Sequence, residues 1–301
     1  VLICMEEKHV HNKQTIGHIL AALTVFVWGT TFISTKILLH VFAPVEILFI
    51  RFVLGLCALF LACPHRLKGT TKKQEGMFAA AGLCGICLYY LLENIALTYT
   101  LASHVGVIVA TAPFFTAMIS HFCFREKEGL HANFFIGFVI AMIGIGMISL
   151  NGSALHLNPI GDMLALLASL IWACYSNLTR KIGTFGYPTV LVTRRFFLYG
   201  TLFMLSALFL FDCKWDLMQL TQPVYLANML FLGLGASALC FVTWNVAVKL
   251  LGAVKTSVYI YMTPVVTAVT SVLILHETIT PQAGIGIVLI LAGLILSEWR
   301  R

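Results

Sequence analysis

Long apolar runs follow one another along the chain with short polar joints between them, and this pattern predicts helices. A helix needs about 20 apolar residues to cross a hydrocarbon core of roughly 30 Å. Ten runs reach or approach that length: 17–39, 44–63, 76–98, 103–124, 131–150, 160–181, 188–211, 222–250, 255–275 and 281–299. The joints are too short to build a water-soluble domain. The first run is longer than a signal-peptide core and no small-residue cleavage site follows it, so it reads as an uncleaved first helix. Residues 1–16, ahead of it, read as a short, polar, mobile tail.

Composition agrees with the pattern. The chain has 301 residues, 60% hydrophobic and 10% charged, against roughly 25% charged in soluble domains; the mean hydropathy is +0.95. An ordinary soluble enzyme is thereby excluded. The net charge of +7 invites a nucleic-acid reading, but its distribution argues otherwise. With ten crossings from a cytoplasmic N-terminus, Lys8, Lys13, Arg66, Lys68, Lys72, Lys73, Arg125, Lys127, Arg180, Lys181, Lys249, Lys255, Arg300 and Arg301 share one side, and Lys214 alone takes the other. That is the positive-inside asymmetry of a multi-pass plasma-membrane protein with both termini in the cytoplasm. Nine cysteines are present. Cys84-Gly-Ile-Cys87 has redox-motif spacing but lies inside an apolar helix, where it reads as packing.

The runs repeat. Ala112–Glu126 (APFFTAMISHFCFRE) returns as Thr263–Glu277 (TPVVTAVTSVLILHE), with the same Pro-to-Glu spacing and a Thr-Ala pair in the same place. Trp28, Lys36, Pro44 and Arg51-Phe52 return at Trp172, Arg180, Pro188 and Arg195-Phe196. Asn94-Ile-Ala96 returns at Asn245-Val-Ala247, and Gly137 and Gly144 at Gly286 and Gly293. The reading is an all-α membrane protein of ten transmembrane helices, made of two five-helix units over 17–150 and 160–301. Five is odd, so the second unit enters the membrane inverted. Inverted repeats are an architecture of secondary transporters, with a site near the midplane between the halves. Pro113 stands about ten residues into its run, roughly 15 Å deep, and Pro264 stands likewise. Each removes a backbone hydrogen bond and kinks its helix. Such breaks persist in a membrane where protein or a wet cavity satisfies the freed carbonyls.

In order and duplication these pieces resemble the drug/metabolite transporter superfamily, in its ten-helix EamA-type branch. The resemblance spans about 17–299 and rests on Trp28-Gly29 with Thr31-Phe32, Arg51-Phe52, Glu93–Ser103 (ENIALTYTLAS), the two Pro…Glu blocks and the glycine-spaced fifth and tenth runs. It implies transport of amino acids, nucleotide precursors, choline-like cations or other metabolites. It also implies a cavity lined mainly by helices 1, 3, 4, 6, 8 and 9, with helices 2 and 7 at the periphery.

An ionisable residue inside a membrane helix is a functional candidate by default. Glu93 is the sharpest, with Tyr89 and Tyr90 one turn before it. An acid beside two rings suits an ammonium group, and it suits a coupling proton as well. A structural ion pair with Arg51 or Lys36 is the competing reading. The duplicated Arg51 and Arg195 read as pairing or helix-end residues, and Arg51 would suit a carboxylate if it reached the cavity. Lys36 and Arg180 read as snorkelling to the interface, and Arg194 as interfacial. Glu126 and Glu277 end their helices, and Glu46 and Asp162 begin theirs, where the positive helix end welcomes an acid. Trp28, Trp172 and Tyr175 join Glu93, Tyr89 and Tyr90 as candidate substrate-binding residues. Trp244, Tyr259 and Tyr261 stand on cavity helices too. His104 and His121 occupy opposite ends of one helix, and no metal-ligand spacing, phosphate loop or catalytic triad appears.

The function expected is secondary transport of a small organic metabolite, an amino acid or related amine, with export as the direction. Uptake of a choline-like quaternary ammonium is the alternative, and an integral membrane enzyme the remote one. No cofactor is implied beyond a proton or ion gradient, and the partners are a small-molecule substrate and the lipid bilayer. The glycine-rich fifth and tenth helices fit a monomer or a homodimer.

Overall fold

The computed structural model describes residues 2–99, 102–124, 132–149, 159–209, 213, 216–275 and 281–298. Among these residues the regular structure is entirely helical. Helix α1 is Leu2–Leu38 and α2 is Pro44–Ala62. Helix α3 runs over 72–99 as Lys72–Gly82, a π-helical segment Leu83–Leu88 and Tyr89–Tyr99. Helix α4 is divided into Ala102–Val109 and Ala112–Phe124, and α5 is Ala132–Ser149. Helices α6 and α7 are Pro159–Gly183 and Thr189–Leu208. Helix α8 runs over 223–251 as Pro223–Leu230, a longer π-helical segment Phe231–Leu239 and Cys240–Leu251. Helix α9 runs over 253–275 as Ala253–Val258, a 3₁₀ turn Tyr259–Tyr261 and Met262–Leu275, and α10 is Pro281–Glu298.

Local sequence explains several boundaries. Pro44 opens α2 where its missing N–H costs nothing, and the Glu46 carboxylate accepts from the Ala43 N–H at 2.8 Å. The N-terminus of α3 is closed by a reciprocal box: the Thr71 hydroxyl accepts from Gln74 N at 3.3 Å, and the Gln74 amide oxygen accepts from Thr71 N at 2.9 Å. Gly252, at φ 94°, makes the turn from α8 to α9 that a side chain would resist. Helix α1 reaches back to Leu2, so the stretch read from sequence as a mobile tail continues the first helix.

Among the described residues six helices are long and apolar enough to cross a membrane: Lys13–Thr35, Pro44–Ala62, Lys72–Ala96, Pro159–Gly183, Thr189–Leu208 and Pro223–Leu251. Ala112–Cys123, Ala132–Met147 and Gly284–Ser297 are apolar but shorter. The division of α4 and the 3₁₀ turn in α9 break what the sequence presents as continuous runs.

Packing between the helices is reciprocal. Helix α1 lies against α8 and α9, and α6 lies against α3 and α4. Helix α2 meets the π segment of α8, and α7 meets the π segment of α3. Helices α5 and α10 form the most extensive pairing. Glycines let these backbones approach. A Cβ on Gly144 would lie 2.6 Å from the Gly286 carbonyl oxygen, and one on Gly293 would lie 2.6 Å from that of Gly137. Gly29, beside Trp28, gives α1 the same access to Val266 of α9.

Glu126, Glu277 and Lys214 lie outside the described residues, as do the side chains of Lys36 and His104.

The glycine contacts generate a paired prediction. Gly144→Ala forces a methyl group into the α5–α10 seam and lowers stability by about 1–3 kcal/mol. Gly146→Ala, two residues on and so on the opposite face with open space around it, keeps stability or raises it by up to about 1 kcal/mol. Thermal unfolding of the two variants in one detergent decides it; equal midpoints would contradict the seam.

Candidate functional site

The centre of the molecule is a cluster of aromatic rings drawn from both halves of the chain. Trp28 of α1 and Trp172 of α6 meet edge-on, 5.3 Å between ring centroids at 81°. Trp244 of α8 lies 5.0 Å from Trp28 and 5.9 Å from Trp172. Tyr89 of α3 lies 4.8 Å from Trp172, and Tyr175 lies 5.1 Å from the same ring. Tyr90 is 4.8 Å from Tyr89. Edge-on and tilted pairs of this kind suit the ring quadrupoles better than flat stacking. Trp172, Tyr175, Tyr90 and Trp244 are buried, while Trp28 and Tyr89 are half-buried.

The structure therefore brings together all six predicted substrate-binding residues. Glu93 completes the set: it is 8% exposed, and the Tyr89 hydroxyl donates to its Oε1 at 3.3 Å. Pro113 and Pro264 stand beside the cluster rather than in it. Pro113 follows the break at 110–111, and its neighbour Ala112 packs into the cluster. The break is served by α6 and by its own turn: the Ser169 hydroxyl donates to the Ile108 carbonyl at 3.0 Å and that of Thr111 at 2.6 Å. Asn177 of α6 donates to the Thr116 carbonyl at 3.1 Å. Pro264 follows the 3₁₀ turn Tyr259–Tyr261. Of the other aromatics considered, Tyr259 faces His18, whose Nδ1 is 2.7 Å from its hydroxyl. Tyr261 packs in a separate cluster with Phe138.

Several residues here were not singled out from sequence. Phe241 touches Trp28, Trp172, Tyr175 and Tyr90 at 5.8 to 6.2 Å, and nothing distinguishes it from the chain's other phenylalanines until the helices are packed. The π segments are equally unannounced, although Gly82 and Gly233 occupy equivalent positions at their starts. The widened turn in α8 has a use, since the Ala236 carbonyl accepts from Trp28 Nε1 at 2.9 Å. Behind the rings, Tyr175 donates to Asn245 Oδ1 at 2.7 Å, and Asn245 Nδ2 donates to the Thr193 hydroxyl at 2.9 Å.

Arg195 pairs as expected, while Arg51 and Arg194 depart from expectation. Arg51, expected at the periphery, is 4% exposed. Its Nε donates to Ser237 Oγ in the π segment of α8 at 2.9 Å, and its guanidinium lies over Tyr90 at 4.8 Å and Phe52 at 5.1 Å. Helix α2 turns this face inward because it packs on α8. Arg195, its repeat partner, instead pairs with Glu75 of α3 at 3.6 Å, and Tyr199 donates to the same carboxylate at 2.5 Å. Arg194, expected at the interface, is buried; it donates to the Cys63 and His65 carbonyls beyond the end of α2 and covers Phe60. Those carbonyls have no helical partner, so a buried donor fork is a direct way to satisfy them. Arg180 likewise donates to the Lys249 carbonyl at the end of α8, at 3.0 Å. Cys84 and Cys87 lie in the π segment of α3 as free thiols. Among the described residues no group of three or more metal-ligating side chains occurs.

Described residues that are helical throughout their regular structure, with membrane-length apolar helices enclosing rings and buried charges, define a multi-pass membrane protein with an interior polar site. The chain belongs to the EamA-like transporter family, whose profile matches it twice, over residues 15–150 and 159–299. It is 26% identical to an uncharacterized transporter of Archaeoglobus fulgidus, over 95% of this chain and 98% of that one. It is 27% identical to a probable amino-acid metabolite efflux pump of Escherichia coli (94% and 96% covered) and 28% identical to a protein of the same description from Salmonella typhimurium (92% and 93%). A crystal structure sharing 18% identity superposes with a TM-score of 0.75 over 95% of this chain and 98% of that one, a likeness of fold alone. Family and relatives are transporters, not enzymes.

The polar chain behind the rings carries a prediction. Tyr175→Phe leaves the Asn245 amide oxygen buried without its donor and destabilises the protein by about 1–2 kcal/mol. Asn245→Ala combined with Tyr175→Phe costs less than the sum of the two single changes. Unfolding midpoints of the three variants measure this; strict additivity would mean that the two residues are not coupled.

Proposed function

We propose that the protein is a secondary active transporter that moves a small organic metabolite, an amino acid or a related amine, across the plasma membrane by alternating access, with export as the direction. The observation that carries this reading is the Glu93 carboxylate, buried beside Tyr89 and bordered by rings from both halves. A carboxylate and aromatic faces are what an ammonium group seeks on leaving water. The two bacterial relatives described as probable amino-acid metabolite efflux pumps agree with it.

We read the architecture as ten spans in two inverted halves over 17–150 and 160–301, with both termini in the cytoplasm. Reciprocal packing supports this: each half's first and second helices lie on the other half's third. The π segments in α3 and α8 recur at equivalent positions, and so do the interruptions next to Pro113 and Pro264. In the mechanism we propose, the halves rock about the ring cluster. Helices α4 and α9 bend at their interruptions, and the α3–α7 contact of Glu75 with Arg195 and Tyr199 forms and parts at one mouth. A proton or ion gradient supplies the drive. The same rings and carboxylate also suit a quaternary ammonium, which makes choline-like uptake the second reading.

Purified protein in liposomes tests the proposal. Wild type exchanges at least one radiolabelled amino acid across the bilayer, and Glu93→Gln lowers the rate by about tenfold or more. A wild-type protein that moves choline but no amino acid would replace the first reading with the second. Movement undiminished in Glu93→Gln would remove Glu93 from the site.

A further inference from the structure

Two opposite charges are buried close together in this interior without being paired to each other. Arg51 is 4% exposed and Glu93 is 8% exposed. A continuous line of contacts joins them: Arg51 over Tyr90, Tyr90 against Tyr89, and the Tyr89 hydroxyl on Glu93. Yet among the described residues no carboxylate bonds to Arg51, and no lysine or arginine bonds to Glu93. Each charge is held by neutral groups alone, Arg51 by Ser237 and two ring faces, Glu93 by a phenol. Burying a charge is expensive unless an opposite charge and good hydrogen bonds compensate it. Two such charges bordering one pair of rings, both incompletely compensated, make a site for something that carries both complements.

A second, independent observation points to a ligand with acceptor atoms. The indole N–H groups of Trp172 and Trp244 are both buried, and among the described residues neither finds an acceptor. Both rings border the same cluster, 5.9 Å apart. An indole N–H is a donor only, so what the ring cluster lacks is acceptor capacity, which a carboxylate has in excess. Quaternary ammonium compounds supply none.

We infer that the solute is bound as a zwitterion, its carboxylate received by Arg51 with the neighbouring indole donors and its ammonium group by Glu93 against the Tyr89 and Trp172 rings. This rests on the reading of the chain as a transporter of an amine-bearing metabolite, and it narrows that reading to compounds carrying an ammonium and a carboxylate a few bonds apart. Arg51 is then a substrate-binding residue. Its repeat partner Arg195 is not, because Glu75 already occupies it. The two halves have diverged at this position, one arginine serving the solute and the other a contact between helices.

Ligand chemistry on the unaltered protein provides the test. The protein in detergent is titrated with each proteinogenic amino acid, with the amine left by removing its carboxylate, and with its N-acetyl derivative. The shift in unfolding midpoint reports binding, and liposome exchange of the same compounds is measured alongside. The expected result is that one or more amino acids raise the midpoint, while the matched amine and the N-acetyl form each bind on the order of tenfold more weakly or worse. Arg51→Gln removes the preference for the amino acid over its amine, and Glu93→Gln removes the preference over the N-acetyl form. If Arg51→Gln does not fold, the wild-type comparison decides alone. Amines that bind and exchange as well as their parent amino acids would overturn the zwitterion inference and leave amine transport standing. Silence from every compound in both assays would overturn the two together.

Discussion

Everything in this interior turns on the cost of keeping polar groups away from water. In a membrane-embedded bundle no loop of solvent is at hand, so each buried charge and each broken stretch of helix needs a partner from the protein. The structure meets that demand at several helix ends and breaks with specific donors. Arg194 takes the carbonyls past the end of α2, Arg180 takes one at the end of α8, and Ser169 serves the break in α4. Against this background the incomplete compensation of Arg51 and Glu93 stands out. A fold that satisfies its helix ends so directly leaves two charges to neutral neighbours at the place where rings from both halves converge.

The irregular helices and the site are parts of one arrangement. A π-helical turn widens α8 where Ser237 meets Arg51 and where the Ala236 carbonyl receives Trp28. A second π turn widens α3 one turn before Tyr89, Tyr90 and Glu93, and Gly85 within it leaves room for the Tyr175 ring. Irregular turns in otherwise continuous helices are common at functional positions because they re-aim side chains and release backbone groups. Here they lie on the two helices that both halves share as packing partners. A shift at one is therefore felt by its neighbours across the bundle.

Much of this was legible beforehand, for identifiable reasons. Apolar runs of membrane length announce themselves, and a duplicated pattern such as Trp28…Arg51 and Trp172…Arg195 survives because the packing that needs it occurs twice. The six candidate binding residues could be named because large polar-edged aromatics and an acid in an apolar run are costly to bury without a use. What escaped was anything decided by three-dimensional packing rather than by residue type. Phe241 is one of 22 phenylalanines, and only the fold makes it central. Helix π turns have no local signature beyond a glycine. Symmetry also misled: Arg51 and Arg195 are repeat partners in sequence, yet one is buried among rings and the other pairs with Glu75, because Glu75 has no charged counterpart in the second half.

The account stands or falls on one solute site built jointly by the two halves, and fluorinated tryptophan can interrogate each half separately. The chain has five tryptophans. All are labelled as 5-fluorotryptophan with the sequence otherwise unaltered, the Trp28 and Trp172 resonances are assigned from single Trp→Phe variants, and the labelled protein is titrated with a transported amino acid in lipid nanodiscs. The account predicts that both resonances shift over the same concentration range that saturates transport. A response from one reporter alone, or from neither, while transport persists would contradict it.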